Sequence, residues 1–379
     1  MQHRSKSRSL FLPLGAAAAV AAATGGALIW VWGVSGFGAA QDKPSVTPTL
    51  LRSGCTKKGQ VPGSGSTAQQ NVMKYWIKQY QQACSPVQIA YNPVGSGAGV
   101  AQFLRGDTSF GGSDSPVKPE NAKGLGRVCS GGRAINLPMV GGSIAIGYNV
   151  PGVNDLVLDA QTLAKIFDAR ITTWDDPAIR KLNSDAELPS LPIRAVHRSD
   201  DSGTTQNFQA YLAGAAPKVW PYPAEKAWQG HTGDSAAGSD AVASTVNSTT
   251  GSIGYFELSF ASRLSINTVR IDTGASAPVT ATTKTASAGI AAAKLVGTGK
   301  DMTLKFDYRT SADGTYPIVL VTYEIVCDKG NLPDSLPALK SFLAYTASEQ
   351  GQEALSEIHY APLPESIAAE VRKVVSTLS

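Results

Sequence analysis

Apolar positions along this chain fall into two rhythms. Short runs in which almost every residue is aliphatic, β-branched or aromatic read as strands: "VQIAY" from Val87, "IAIGYNV" from Ile144, "IRAVHR" from Ile193, "IGYFEL" from Ile253 and "IVLVTYEIV" from Ile318. Between them the spacing changes to three and four, which predicts helices beginning near Ala68, Ala98, Thr162, Thr204, Leu336 and Ser366. In the first helix Val72, Trp76 and Tyr80 repeat every four residues with Met73 and Ile77 beside them. One face is therefore apolar, and Trp76 belongs to a core rather than to a ligand. The alternation of strands and helices predicts α/β architecture, with sheets covered by helices.

A second pattern is local. "GSGST" at Gly63 to Thr67, "GSGAG" at Gly95 to Gly99 and "DSGTT" at Asp201 to Thr205 each follow an expected strand and open an expected helix. Glycine lets the backbone turn tightly, and Ser or Thr adds hydroxyls beside the unpaired amides of the first helical turn. Such a terminus carries about half a positive charge and suits an anion. One copy alone is ordinary N-capping; three matter if they converge. The third copy stands directly behind Arg198, Asp200 and Asp201, and this mixture of charge and small hydroxyls reads as an anion pocket.

Composition narrows the picture. With 379 residues and 42% hydrophobic content the chain can bury one large or two moderate cores, and two domains are the better reading. Its formal charge of +4 comes largely from Arg4, Lys6 and Arg8, so the remainder is within one charge of neutral, which speaks against a nucleic-acid partner. The basic residues His3 to Arg8 precede an apolar stretch running from Leu10 to about Ala40. Residues 1–40 read as a signal peptide or N-terminal membrane anchor, and 41–54, with Pro44 and Pro48, as a linker. The chain is expected to be exported, and it associates with the membrane through this segment if the segment is retained rather than cleaved.

Cys55, Cys84, Cys129 and Cys327 form an even set, which in an exported chain favours disulfides over metal or redox chemistry. Of the three connectivities we take Cys55–Cys84 with Cys129–Cys327, the other two staying open. No G-x-x-x-x-G-K-[ST] follows any glycine cluster, which excludes a P-loop. His197, Asp200 and Ser202 supply the side-chain types of a hydrolase triad, but they crowd one stretch and no G-x-S-x-G elbow is present. His3, His197, His231 and His359 are too scattered for a metal site. "GGSDSP" at Gly111 to Pro116, taken alone, is an Asx turn before a proline.

Together these segments resemble a known family. "GSGST", "NPVGSGAGV", "FGGSDSP", "LAKIFDARITTWDDPAIRKLN", "HRSDDSGTTQNF", "GSIGYFEL" and "HYAPLPESI" occur in the order found in phosphate-binding proteins of the phosphate-specific ABC importer, the PstS type. The resemblance implies a two-lobed type II periplasmic-binding-protein fold, each lobe a mixed sheet flanked by helices, joined by a two-strand hinge. Lobe I would comprise 55–140 and 314–379, and lobe II 141–313, with all four cysteines in lobe I. The chain would cross near Met139 to Ser143 and return near Ala312 to Pro317.

The family's ligand positions map onto Thr67, the main-chain N–H of Ala68, Ser96, Asp114, Arg198, Ser202, Gly203 and Thr204, with Asp200 holding the Arg198 guanidinium. Ala68 replaces an aromatic residue often found there. Asp201 is read as a solvated carboxylate. The implied function is inorganic phosphate binding by the extracytoplasmic receptor of an ABC importer, a monomer that closes on its ligand and delivers it to the permease. It would need no cofactor, no metal and no catalytic residue. An extracellular phosphoester hydrolase or a phosphate sensor on the same fold is the alternative.

Overall fold

The computed structural model describes residues 55, 56, 58–123, 128–231 and 233–379. The expected leader and linker, residues 1–54, lie outside the described residues. The chain opens with β1 (Gly59–Gly65), α1 (Gln70–Ala83), β2 (Val87–Pro93), α2 (Ser96–Arg105), β3 (Phe110–Ser113) and the long β4 (Ala134–Asn149). There follow β5 (Val157–Asp159), α3 (Ala160–Phe167), α4 (Pro177–Leu182), β6 (Arg194–Arg198), α5 (Gly203–Ala215), β7 (Asp234–Ala236), α6 (Gly238–Ser248), β8 (Ser252–Glu257) and α7 (Leu258–Leu264). The last third holds β9 (Asn267–Thr268), β10 (Arg270–Asp272), α8 (Thr283–Ala291), β11 (Lys294–Leu295), β12 (Leu304–Lys305), β13 (Val319–Cys327), α9 (Leu336–Thr346), α10 (Glu349–Glu353) and α11 (Glu365–Ser376).

Every strand and helix expected from the patterning occurs, but the strand expected from Ile144 begins ten residues earlier, at Ala134. Pro138, Gly141 and Gly142 look like breakers in sequence. Pro138 is tolerated because the register of β4 against β13 shifts there, between Thr322 and Tyr323, and a bulge does not require its missing N–H. Along Ala134–Ser143 the strand pairs antiparallel with β13; along Ile144–Asn149 it pairs antiparallel with β8. One continuous strand thus serves two parts of the sheet.

The full order is β2-β1-β3-β13-β4-β8-β6-β7, with β9 on β4. β1, β2 and β3 run parallel to one another, as do β8, β6 and β7. On the β1 side α1 buries Val72, Met73, Trp76 and Tyr80 against Phe110, Phe342 and Leu343, and the Trp76 indole donates to Gly351 O at 2.7 Å. Truncating Trp76 to Ala would cost about 3–5 kcal/mol. On the β6 side a separate aromatic group, Phe167, Phe208, Trp228 and Tyr255, packs at centroid distances from 4.5 Å upward.

The cysteines pair as Cys55–Cys84 and Cys129–Cys327. The first ties the start of the described chain to the end of α1. The second spans 198 residues and joins the segment before β4 to the last residue of β13.

Candidate functional site

In open α/β sheets the carboxyl ends of parallel strands, each followed by a helix, leave a crevice lined by helix starts. Here β1 ends at Gly65 before Ser66 and Thr67, β2 leads to Gly95 and Ser96, and β3 to Asp114. From the other parallel set β6 ends at Arg198 and β7 leads to Gly238 and Ser239. Four helical starts, those of α1, α2, α5 and α6, therefore meet at one place. Thr67, Ala68, Ser96, Asp114, Arg198, Ser202, Thr204 and Ser239 are all buried there.

Asp114 is the centre of the hydrogen bonding. Its Oδ1 accepts from Ser66 Oγ at 2.5 Å and Thr322 Oγ1 at 3.0 Å, and its Oδ2 accepts from Thr204 Oγ1 at 2.8 Å. Asn207 clamps the main chain, donating to the carbonyls of both Asp114 and Gly203. Ser96 Oγ accepts from the Asp114 amide at 3.3 Å. Burial pushes the carboxyl above the usual carboxylate range, while the three hydroxyls and the Arg198 charge pull the other way.

Arg198 faces the same space from β6. Its Nε and Nη2 bind Asp200 at 2.7 and 2.5 Å, and Nη1 reaches Ser239 Oγ at 3.5 Å. Burial acts to raise Asp200, but hydrogen bonding to Arg198 and its charge win and hold the carboxyl below its ordinary value. Asp200 also accepts from the Gly238 amide, so it ties the start of α6 to the guanidinium. Behind them Tyr255 OH accepts from the Arg198 amide at 3.2 Å and meets Thr205 Oγ1 at 2.7 Å, so the aromatic core fixes the strand end and the helix start together.

Two close approaches require glycine. Gly95 has φ of +93°, and a Cβ there would lie 2.4 Å from Asp200 Oδ2. A Cβ on Gly203 would meet the Asp114 amide, Asp114 Cβ and Ser96 Oγ, each at 2.8 Å. The Gly97 amide also donates to Asp201 O at 3.0 Å. The residues after β2 and β3 are thus in direct contact with those after β6.

The structure places Thr67, Ala68, Ser96, Asp114, Arg198, Gly203 and Thr204 at one buried spot, with Asp200 against Arg198. Ser202 is adjacent, its Oγ accepting from the Thr205 amide as helix cap at 3.2 Å. The Ala68 amide donates to Ser66 Oγ at 3.0 Å. Asp201 is exposed. The triad types are otherwise engaged: the His197 ring stacks on Trp228 with centroids 5.1 Å apart, Ser202 caps α5, and Asp200 binds Arg198. Among the described residues no group of three or more His, Cys, Asp or Glu side chains could hold a metal ion.

Sequence reading passed over Ser66, Thr322 and Ser239. The Ser239 amide donates to Thr67 Oγ1 at 3.0 Å, and the two hydroxyls are also 3.0 Å apart. Its signal, a Gly-Ser-Asp at the opening of α6, has the same grammar as the other three but follows the short, exposed β7.

A sequence profile described as PBP superfamily domain matches residues 52–350. The phosphate-binding protein PstS 2 of Mycobacterium tuberculosis (strain ATCC 25618 / H37Rv) is 42% identical over 331 residues, covering 86% of this chain and 89% of that protein. The phosphate-binding protein PstS of Methanocaldococcus jannaschii is 31% identical over 329 residues, covering 80% and 82%. Among solved structures, a putative phosphate ABC transporter substrate-binding protein with bound phosphate from Clostridium perfringens superposes with a TM-score of 0.58 at 22% identity, covering 80% of this chain and 100% of that one. A high-affinity periplasmic phosphate-binding protein bound with phosphate gives 0.67 at 23%, covering 83% and 93%. These two share the fold; the sequence relatives show the lineage, and this chain belongs to the PstS phosphate-binding protein family of the PBP superfamily.

Proposed function

We propose that the buried crevice binds inorganic phosphate, and that the chain is the solute receptor of an ABC phosphate importer on the extracytoplasmic side of the membrane. The observation that carries this reading is the pairing of Asp114 with Arg198 at one buried spot. A carboxylate has about four acceptor positions, and three are taken by Ser66, Thr322 and Thr204. The fourth accepts a proton from the ligand. Phosphate near neutral pH carries such a proton; sulfate does not and sets two acceptors against each other in a dry site.

Arg198, oriented by Asp200, donates charge-assisted hydrogen bonds to the phosphate oxygens. Thr67, Ser96 and Ser202 add hydroxyl donors, and the amides of Ala68, Gly203, Thr204 and Ser239 add helix-start dipoles, the Thr204 hydroxyl being held by Asp114. Residues 55–140 with 314–379 form one lobe and 141–313 the other, with β4 and β13 between them. Thr67, Ser96 and Asp114 then stand on the first lobe and Arg198 to Thr204 on the second, so the ligand stabilises the closed arrangement that a permease reads. No covalent step is involved, and the chain is not an enzyme.

Calorimetric titration of phosphate-free protein tests the reading. Phosphate and arsenate, which both keep a proton, bind; sulfate is weaker by a factor on the order of 10⁴. Equal affinity for sulfate and phosphate refutes it.

A further inference from the structure

Arg198 is the buried cation of the site, yet its charge is already matched by Asp200, while Asp114 contributes a carboxyl of its own. The negative charge of an arriving dianion is left without a local counterpart. Beside Ser202 lies an open cavity of about 440 Å³ that spans the seam between the two strand sets, with Val100 and Lys118 on one wall and Gln206, Glu225, Lys226 and Gln229 on the other. Lys226 is placed firmly by its main chain, whose carbonyl accepts from the Ser202 amide at 3.1 Å. Its Nζ has a neutral partner, Gln206 Oε1 at 3.4 Å, and among the described residues it forms no salt bridge.

Lys226 is half-buried. Burial holds its pKa below the ordinary lysine value, against the pull of Asp114, Asp201 and Glu225 and with a push from Lys118. It therefore feels the carboxyl at the centre of the site and the second lysine of the cavity. A cation in a partly desolvated cleft acts over a longer range than one on open surface, because the low-dielectric walls focus its field.

We propose that Lys226 is the capture cation of this receptor, drawing phosphate into the seam beside Ser202 before Arg198 and Asp114 take it over. This rests on the phosphate reading of the crevice. Asp201 and Glu225, on the same cavity, oppose the capture and set its strength.

The test is stopped-flow mixing of the purified protein with inorganic phosphate, followed by tryptophan fluorescence; Trp228 sits two residues from Lys226 on the same segment. Lys226→Gln keeps the main-chain bond to Ser202 and removes the charge. We expect its association rate to fall by about 3–10-fold at low salt, the difference closing near 0.5 M salt, with the dissociation rate little changed. Lys226→Arg restores the rate, and Glu225→Gln raises it. A loss that is independent of salt, or one confined to dissociation, overturns the capture role. Wild-type protein that does not bind phosphate at all overturns the reading of the crevice itself, a result separable from both.

Discussion

Thr204 at the start of α5 gives its hydroxyl to Asp114 after β3 at 2.8 Å, although ninety residues separate them and both are buried. This bond joins the two strand sets, and it consumes an acceptor on the carboxylate that we propose discriminates between anions. On that proposal, ligand selection and contact between the two sides share one carboxylate.

Asp114→Asn replaces an acceptor with a donor while keeping the shape. Phosphate affinity should fall by about 100-fold or more, and the preference over sulfate should shrink by a larger factor. Titration with both anions measures this. The raised pKa of Asp114 gives a second reading of the same residue: as pH falls, protonation removes the acceptor, so phosphate binding weakens at a higher pH than an exposed carboxyl of ordinary pKa 3.8 would produce. In Asp114→Asn that acid limb should disappear.

Gly203→Ala leaves every polar group in place but inserts a methyl against the Asp114 backbone and Ser96 Oγ. Neither main chain nor Cβ can rotate away, so the two sides must separate. Phosphate affinity is expected to drop at least tenfold, and small-angle scattering with phosphate should give a larger radius of gyration than wild type. An unchanged radius together with unchanged affinity contradicts the close approach.

Two further acids are buried near the crevice. Burial pushes Glu324 on β13 and Glu257 at the end of β8 up to about 8, against the pull of Gln69 on the first and of Ser259 on the second. Both folded values lie above the ordinary 4.5, so the folded state keeps protons that the unfolded chain releases. Their contribution is complete below the unfolded value and is lost as pH rises toward about 8, at about 1.4 kcal/mol per pH unit for each acid. Urea unfolding across pH 5 to 9 should show stability declining over that window. Glu324→Gln should remove about half of this slope, leaving the acid end unchanged.

Removing the Cys129–Cys327 link by a double Ala substitution frees a closure of 198 residues in the unfolded chain. We expect a loss of about 2–5 kcal/mol, read from the denaturant midpoint, with phosphate affinity within threefold of wild type because the bond lies away from the crevice.

What the sequence disclosed depended on how each part is built. The strands from Val87, Ile193, Ile253 and Ile318 are apolar runs bounded by turns, and their patterning found them. The first half of β4 escaped because Pro138 and two glycines sit in it, and only pairing with β13 makes them acceptable. The crevice residues at Thr67, Ser96 and Arg198 to Thr204 were legible because glycine and hydroxyl residues cluster at helix openings. Ser66 and Thr322 were not: their hydroxyls serve Asp114 across the sheet, a relation with no local spacing. Ser239 carried a readable motif, but its preceding strand has only three residues and no apolar run to announce it.

The unbroken course of β4 has a bearing on how the molecule resists damage. All but the last of its sixteen residues are buried and all but Met139 at the bulge are paired with β13 or β8, so a protease finds no purchase on this crossing. Residues 311–314, by contrast, are exposed on the way back to β13. A nick there would leave two fragments still clasped along nine paired residues of β13 and sealed by Cys129–Cys327, so a severed copy keeps its shape where a loop-hinged protein would fall in two.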